Sequence, residues 1–397
     1  MEWYFKAADQ GYANAQFNMG FMYYNGQDVP QDYSQAMEWF LKAAYQGYAN
    51  AEFYIGTLYE HGQGVPQDYF QAKEWFLKAG EQGHVTAQFN IGVLHEHGHG
   101  VPQDYSRAIE WYLKAADQGY ANAQFNIGVL YEHGHGVPQD YSRAMEWYLK
   151  AADQGYTNAQ ANIGVLYHNG HSAPQDFSQA MEWYLKAADQ GYANAQFNIG
   201  FMYYNGQDVP QDYSQAMEWF LKAAYQGHVN AEFYIGTLYH NGQGVPQDHS
   251  QAMEWYLKAA NQGNTSVLLN IGILYYNGQG VPQDYSRAME WYLKAADQGY
   301  ANAQFSIGAM YHNGQGVPQD YAQAMEWFLK AAYQGYANAE FYIGTLYEQG
   351  KGVPQDYSQA MEWFIKAADQ GYANAQANIG VLYEHGHGVP QDYSRAM

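Results

Sequence analysis

A strict 36-residue period constrains this sequence more than any other feature. The eleven tryptophans recur every 36 residues from Trp3 to Trp363, and the eleven prolines do so from Pro30 to Pro390. The 397 residues are eleven such periods plus one residue, because 11 × 36 + 1 = 397. A chain of this length often forms two or three domains, but a regular period is typical of stacked repeat units. We therefore predict a single repeat domain over residues 1–397.

The first complete unit contains the signals of two helices. Ala15, Met19 and Met22 are spaced by three and four residues, which places them on one face of a first helix. Gly26 ends this helix, and the segment Gly-Gln-Asp-Val-Pro-Gln is typical of a loop. Asp32 then begins a second helix, because its side chain can accept hydrogen bonds from the free amides of the next turn. Each unit is therefore predicted to be a helical hairpin.

The second helix has an apolar face and a charged face. Ala36, Trp39 and Phe40 fall on the buried side, and Glu38 and Lys42 are spaced to form an ion pair on the solvent side. A single hairpin of this size cannot cover both of its apolar faces, so each unit must pack against the next. The predicted fold class is therefore all-α, an α-solenoid of eleven 36-residue helix-turn-helix repeats.

The period also predicts what lies at the two ends of the chain. We expect eleven first helices and ten complete second helices, with the repeat array over residues 11–391. Residues 1–10 and 392–397 are expected to be parts of second helices, because Met1 and Met397 occupy the same position in the repeat. Repeat proteins usually carry polar terminal units. Their absence suggests either that the natural termini lie elsewhere, or that the uncapped ends are complementary and self-associate head to tail.

The repeat resembles a known family. Its pattern, A-x-A-x-x-x-I-G-x-L-Y-x-x-G-x-G-V-x-x-D-x-x-x-A-x-x-W-Y-x-K-A-A-x-x-G from Ala123 to Gly155, is similar to the SEL1-like repeat (SLR), a tetratricopeptide-like unit of the HCP-like superfamily. Small departures occur at His95, where the other units have Tyr, and at Ser172 and Ala173, which replace the loop Gly and Val. The resemblance implies a right-handed superhelix whose first helices line the concave side.

The same resemblance implies a scaffold. Similar proteins are adaptor subunits of membrane-bound degradation complexes, activators of other enzymes, and bacterial proteins that act at host interfaces. Some cysteine-rich bacterial members have been associated with β-lactam binding, but this chain contains no cysteine. We therefore predict a non-enzymatic adaptor that binds other proteins or peptides and uses no cofactor. The alternative is a repeat protein that binds, and could hydrolyse, a glycan or another small molecule.

A second face of the first helices varies from repeat to repeat. The positions equivalent to Phe21 and Tyr24 change most, and together with the Phe17 position they recur at helical spacing. Aromatic residues are frequent anchors of protein interfaces. The alternative is that Phe17 and its equivalents only complete the packing between units. The predicted partner-binding residues on this concave face are Phe17, Phe21, Tyr24, Phe53, Phe89, Phe125, Phe197, Phe201, Tyr204, Phe233, Tyr276, Phe305 and Phe341.

Charge and hydropathy argue against two classes of partner. The formal net charge of -22 is spread over the repeats, and this sign opposes binding to nucleic acid or anionic lipid. No stretch approaches about 18 apolar residues, so no membrane insertion is predicted. The N-terminal sequence MEWYFKAADQGY lacks the basic start and the apolar run of a signal peptide. The compartment is left open, with a soluble, cytoplasmic protein as the default expectation.

Histidines in and after the first helices form two patterns that need interpretation. The run His95-Glu96-His97-Gly98-His99 satisfies the zinc-protease signature H-E-x-x-H, which requires both terminal histidines on one helix. Gly98 is expected to end that helix, so we predict no catalytic, cofactor-binding or metal-binding residue here. Paired histidines in neighbouring loops, such as those around Gly98 and Gly134, could capture a transition metal adventitiously. Solvated loop side chains are the expected alternative.

Overall fold

The computed structural model describes residues 2–172, 174–392 and 394. Helices, turns and loops account for all of this described part, which contains no strand. The chain divides into two compact units, Met1–Ala195 and Gln196–Met397. Within each unit, first helices alternate with second helices as the repeat pattern predicts.

The helices are numbered in chain order. The first helices are α2 (Ala13–Asn25), α4 (Ala49–His61), α6 (Val85–His97), α8 (Ala121–His133), α10 (Thr157–Asn169), α12 (Ala193–Asn205), α14 (Val229–Asn241), α16 (Leu268–Asn277), α18 (Ala301–Asn313), α20 (Ala337–Gln349) and α22 (Ala373–His385). The second helices are α1 (Glu2–Asp9), α3 (Tyr33–Ala44), α5 (Tyr69–Glu81), α7 (Tyr105–Asp117), α9 (Tyr141–Ala152), α11 (Phe177–Asp189), α13 (Tyr213–Ala224), α15 (His249–Asn261), α17 (Tyr285–Asp297), α19 (Tyr321–Ala332) and α21 (Tyr357–Asp369). A repeat is a first helix with the second helix that follows it, so repeat 1 is α2 and α3.

The predicted helix count is confirmed over the described residues: eleven first helices, ten complete second helices and the partial second helix α1. A 3-10 turn, Thr265–Val267, precedes the shortened α16. The second-helix fragment predicted over residues 392–397 falls largely outside the described residues, since 393 and 395–397 are not among them.

The predicted helix boundaries rest on glycine and aspartate. Gly26 ends α2 with a left-handed backbone at φ 67°, a conformation that costs glycine little. Asp32 begins α3, because its carboxylate accepts hydrogen bonds from the backbone amides of Ser34 and Gln35, each at 3.0 Å. The same aspartate cap recurs at the start of every complete second helix.

The ion pair predicted between Glu38 and Lys42 is formed at the equivalent position of α11, where Lys186 lies 2.9 Å from Glu182, but Glu38 and Lys42 themselves form none. The Lys42 ammonium lies 3.9 Å from the ring centroid of Trp39, three residues earlier on α3. The same lysine-over-tryptophan contact recurs in the other complete second helices. A cation over an aromatic face keeps its exposed side in water, so the same lysine can also lie beside a carboxylate, as Lys186 does in α11.

The core lies between the second helix of one repeat and the first helix of the next. Ala144 and Tyr148 of α9, in repeat 4, pack with Ile163 and Leu166 of α10, in repeat 5. All four are fully buried. Within a repeat, the two helices approach closely at a glycine: a Cβ at Gly128 of α8 would lie 2.5 Å from Cε1 of Tyr148. A glycine therefore makes room for the large buried ring at this position.

Hydrogen bonds of glutamine side chains join neighbouring repeats. Gln154, just after α9, donates to the side-chain oxygen of Gln124 at 2.8 Å, and Gln124 donates to the backbone carbonyl of Ala116 at 3.3 Å. Repeats 2, 7 and 10 carry a glutamate in place of this buried glutamine. Burial raises the pKa of both Glu52 and Glu340 above the ordinary value, although Lys78 and Lys366 respectively oppose the shift. The three buried glutamates are Glu52, Glu232 and Glu340.

Candidate functional site

The phenylalanines of the predicted binding face pack between repeats. The Phe17 ring of α2 lies 5.7 Å from Phe40 in the same repeat and 5.2 Å from Tyr48 at the start of the next. Phe125 of α8 repeats this arrangement, with Tyr148 at 5.6 Å and Tyr156 at 5.2 Å. These rings are half-buried. The packing role considered as the alternative is therefore present, and partner binding by the exposed part of each ring stays a prediction.

The most aromatic part of this face lies in repeat 1. Phe21 contacts Phe17 at 5.9 Å, and both rings contact Tyr54 of repeat 2, at 5.5 Å and 5.7 Å respectively. Tyr24 also contacts Tyr54, with 5.2 Å between the ring centroids. We call Phe17, Phe21, Tyr24, Phe40 and Tyr54 the first aromatic cluster.

The second compact unit contains an equivalent set of rings. Phe201 and Tyr204 lie 5.6 Å and 5.1 Å from Tyr234, and Phe197 lies 5.7 Å from Phe220. These five residues form the second aromatic cluster. Burial raises the pKa of the Tyr204 and Tyr234 hydroxyls, and of Tyr24 and Tyr54 in the first cluster, so all four stay neutral at physiological pH.

Tyr54 and Tyr234 are not among the residues predicted from the sequence. Both replace an asparagine that occupies this position in most repeats, for example Asn90 and Asn126. The third such tyrosine is Tyr342, whose ring lies 5.5 Å from that of Phe305. The replacement was therefore visible in the sequence, but its contact with the preceding repeat was not.

The other predicted residues also have ring or polar partners. They are half-buried, like the predicted residues of the two clusters. Their partners are His84 for Phe53, Tyr112 and Tyr120 for Phe89, Tyr256 for Phe233, Tyr285 and the Gln315 side chain for Tyr276, Tyr336 for Phe305, and Tyr372 for Phe341.

Glutamates at the Tyr24 position have a structural role in repeats 3 and 4. The buried Tyr112 hydroxyl donates to the Glu96 carboxylate, and Tyr148 donates to Glu132 at 2.5 Å. Burial and the adjacent carboxylate raise the pKa of each phenol well above its usual range. The arrangement is a neutral phenol that stabilises a carboxylate, and it leaves neither group placed as a general base.

The zinc-protease signature is not assembled. Helix α6 ends at His97, Gly98 adopts a left-handed backbone at φ 72°, and His99 lies in the loop beyond it. The His99 ring stacks at 4.7 Å on Tyr69 of the preceding repeat. Because His95 and His99 do not share a helix, they cannot form the paired ligands that the signature requires.

The loop histidines contact tyrosines of the preceding repeat. His135 stacks on Tyr105 at 4.8 Å, and His387 stacks on Tyr357 at 4.5 Å. Over residues 2–172, 174–392 and 394, no three His, Asp or Glu side chains come together as a possible metal site. The four-imidazole arrangement considered from the sequence is therefore not formed by the described loops.

Comparison with known proteins decides the family. Twelve segments match the Sel1 repeat and together span every residue except 265; they are residues 1–12, 13–48, 49–84, 85–120, 121–156, 157–192, 193–228, 229–264, 266–300, 301–336, 337–372 and 373–397. The chain belongs to the Sel1 repeat family. The α-solenoid predicted from the sequence is confirmed with it, because Sel1 repeats form helical solenoids.

Two solved Sel1 structures are similar over most of the chain. One is the protective antigen c5321 of uropathogenic Escherichia coli, which displays an SLR fold: identity is 39%, the TM-score is 0.90, and the match covers 100% of this chain and 85% of the antigen. The other is a Sel1 repeat protein of Oxalobacter formigenes, with 33% identity, a TM-score of 0.60 and coverage of 78% and 89%. No curated protein gives a significant match.

Membership of the Sel1 family carries a general functional statement. Sel1 repeat proteins are generally non-enzymatic scaffolds that bind other proteins. Among the helices of the described residues, none combines the length and apolar character needed to cross a membrane.

Proposed function

We propose that this Sel1 repeat protein is a non-enzymatic scaffold that binds other proteins or peptides through the aromatic face of its first helices. The observation that carries the proposal is the pair of aromatic clusters, in which half-buried rings from adjacent repeats contact one another above the fully buried Phe40 and Phe220. Large amphipathic rings held by their neighbours lose little conformational freedom on binding, which suits them as interface anchors.

The partner chemistry follows from the surface. Phe21 and Phe201 supply apolar contacts, and the hydroxyls of Tyr24 and Tyr204 are neutral groups able to donate hydrogen bonds. The formal net charge of -22 attracts segments rich in Lys and Arg during encounter. The proposed partner is therefore a protein or peptide segment with apolar anchor residues and excess positive charge.

The test replaces two rings of the first aromatic cluster with the residues that repeat 2 carries. Phe21→Thr with Tyr24→Glu reproduces Thr57 and Glu60, so the double variant is expected to fold. A photo-crosslinking amino acid at position 21 should first capture the partner. With that partner purified, the double variant is expected to bind at least about tenfold more weakly in calorimetry, because an anchor residue commonly contributes more than 1 kcal/mol.

The matched control replaces an exposed tyrosine outside the two aromatic clusters. Tyr45 follows α3 with 81% of its surface exposed, and six other repeats or partial repeats carry aspartate there. Tyr45→Asp is expected to leave the affinity unchanged, and a crosslinker at position 45 should not capture the partner. Equal affinity of the Phe21→Thr, Tyr24→Glu variant and the wild type would refute the binding face.

We also propose head-to-tail self-association, which is supported by exposed rings on α1. Trp3 and Phe5 are 80% and 48% exposed, whereas Trp39, the next tryptophan in the period, is 7% exposed. On α22, Val381 is 45% exposed. Sedimentation velocity should show mass increasing with concentration, and Trp3→Glu with Phe5→Glu should abolish the increase because it places charges where rings would be buried. A wild-type chain that stays monomeric at all concentrations would contradict the proposal.

A further inference from the structure

A cavity of about 680 Å³ opens between repeats 2 and 3 in the first compact unit. Helix α5 contributes Lys73 and Leu77, α6 contributes His95, and α7 contributes Arg107 and Trp111. Volumes of about 300–1,000 Å³ are typical of small-molecule sites. The cavity is separate from both aromatic clusters, because none of its lining residues belongs to them.

Two residues that line this cavity differ from the residues at the equivalent positions of all other repeats. His95 stands where all ten other repeats have tyrosine. Lys73 stands where the equivalent positions have methionine or, at Ile109, isoleucine. The first replacement shortens a side chain, and the second introduces a charge. They lie on different helices of consecutive repeats, yet both side chains line the same cavity.

Repeats 4 and 8 show what the common tyrosine does. The Arg143 guanidinium donates to the Tyr131 hydroxyl at 3.3 Å, and Arg287 donates to the Tyr275 hydroxyl at 3.1 Å. Arg107 is the equivalent arginine of repeat 3, and its described ion pair is with Asp104, at 3.6 Å from Nε. Because the imidazole of His95 replaces the phenol, this arginine–phenol hydrogen bond has no counterpart in repeat 3.

The wall of the cavity combines donors with apolar surface. His95 is 7% exposed, and its Nδ1 has no hydrogen-bond partner among the described residues. Burial and the nearby Arg107 lower the pKa of His95, so the ring is neutral near pH 7 and carries one N–H donor. Leu77, Pro102 and Trp111 supply the apolar part of the wall.

Both cations of the cavity have a carboxylate beside them. Asp104 accepts from the Arg107 backbone amide at 3.0 Å, and its other carboxylate oxygen lies 3.6 Å from Nε of the Arg107 side chain. The Lys73 ammonium lies 3.3 Å from the carboxylate of Glu74, which does not line the cavity. Glu110 of α7 does line it. The carboxylate of each ion pair is exposed to solvent, and such pairs contribute at most about 1 kcal/mol. A ligand with an anionic group at one end and an apolar body can therefore displace them from the two cations and pack against the apolar wall.

We propose that this cavity binds a small organic anion, whose carboxylate or phosphate is held by Lys73 and Arg107 and accepts a hydrogen bond from His95. Charge-assisted hydrogen bonds to lysine and arginine favour such groups. The apolar body of the ligand packs against Trp111 and Pro102. The binding face of the scaffold is not involved, so this site can be present whether or not the proposed protein partner exists.

The first test measures binding by isothermal titration calorimetry with benzoate, phenyl phosphate and inorganic phosphate. Saturable binding of an aromatic probe to the wild type is expected, and the comparison of benzoate with phenyl phosphate identifies the anionic group. Lys73→Met and His95→Tyr each restore the residue of the other repeats, so both are expected to fold. Each should weaken binding about tenfold or more, as for the loss of one charged contact.

The control variant removes the same charge elsewhere. Lys351 is the other lysine outside the repeated lysine position, and several repeats have glutamine in its place, so Lys351→Gln is a conservative change. It lowers the net charge as Lys73→Met does but should leave probe affinity unchanged. Failure of all three probes to saturate the wild type at about 10 mM would overturn the proposal. Unchanged binding in both Lys73→Met and His95→Tyr would overturn it equally.

The second test transfers the site to repeat 4. Ile109→Lys with Tyr131→His places the two distinctive residues beside Arg143, which already occupies the arginine position. The binding stoichiometry for the best probe should rise from one to two per chain. A stoichiometry that stays at one would show that these residues do not define the site.

Discussion

Replacing Tyr148 with alanine is expected to lower the free energy of unfolding by about 3–5 kcal/mol, the range for truncating a buried aromatic ring. Tyr148 is fully buried in α9, where its ring packs against Gly128 and its hydroxyl donates to Glu132. Truncation removes the ring, leaves a cavity, and removes the donor from a half-buried carboxylate. Urea denaturation measures the total loss, and native-state hydrogen exchange locates it.

The control for this variant is Tyr148→Phe. The equivalent residues Phe40, Phe76, Phe220, Phe328 and Phe364 show that a phenyl ring is tolerated here. Only the hydroxyl contacts with Glu132 and Asn162 are lost, so a cost of about 1 kcal/mol is expected. Because each repeat contacts its neighbours, the faster exchange in Tyr148→Ala should concentrate in α8 to α10. Equal acceleration in α2 and α3 would contradict this modular behaviour.

Replacing Gly128 with alanine is expected to cost about 1–3 kcal/mol, which is the usual penalty for overpacking a core. The added Cβ would lie 2.5 Å from Cε1 of Tyr148, closer than van der Waals contact allows. The fully buried ring has little room to move away, so one of the two helices must shift. The loss should appear in urea denaturation as a lower transition midpoint.

Gly80 provides a control of opposite sign. This glycine lies inside α5, where the other complete second helices have alanine. A Cβ at Gly80 would meet the flexible end of Ile91, whose Cδ1 lies 3.0 Å away. Gly80→Ala is therefore expected to stabilise the chain by about 0.5–1 kcal/mol, since alanine is the better helix former. If Gly80→Ala and Gly128→Ala were equally destabilising, the ring contact would not be the cause.

Local signals in the sequence predicted the helices well. Gly26 and Asp32 act within a few residues of themselves, one by its backbone conformation and the other by capping the next turn. The ion pair of Glu38 with Lys42 was predicted from the same kind of spacing; the equivalent pair Glu182–Lys186 is formed in α11, whereas Glu38 and Lys42 form none. Spacing places three side chains within reach of one another; the Lys42 ammonium lies over the Trp39 ring, and that of Lys186 contacts both the Trp183 ring and Glu182.

The candidate site was predictable only in part. Helical spacing correctly placed Phe17 and Phe21 on one half-buried face. The contact of both rings with Tyr54 joins two repeats, and no pattern within one repeat specifies it. The cavity beside His95 needed Lys73 as well, which lies on the preceding repeat.

The sequence by itself determined the period, the helical hairpin and its boundaries, because these depend on interactions between residues a few positions apart. The tertiary structure decided which variable side chains share a surface and which leave a space. His95 is a single departure in the sequence, but it becomes part of a candidate ligand site because Lys73 and Arg107 converge on the same cavity. Such convergence depends on how one repeat packs on the next, and packing between large side chains is a property of their three-dimensional fit.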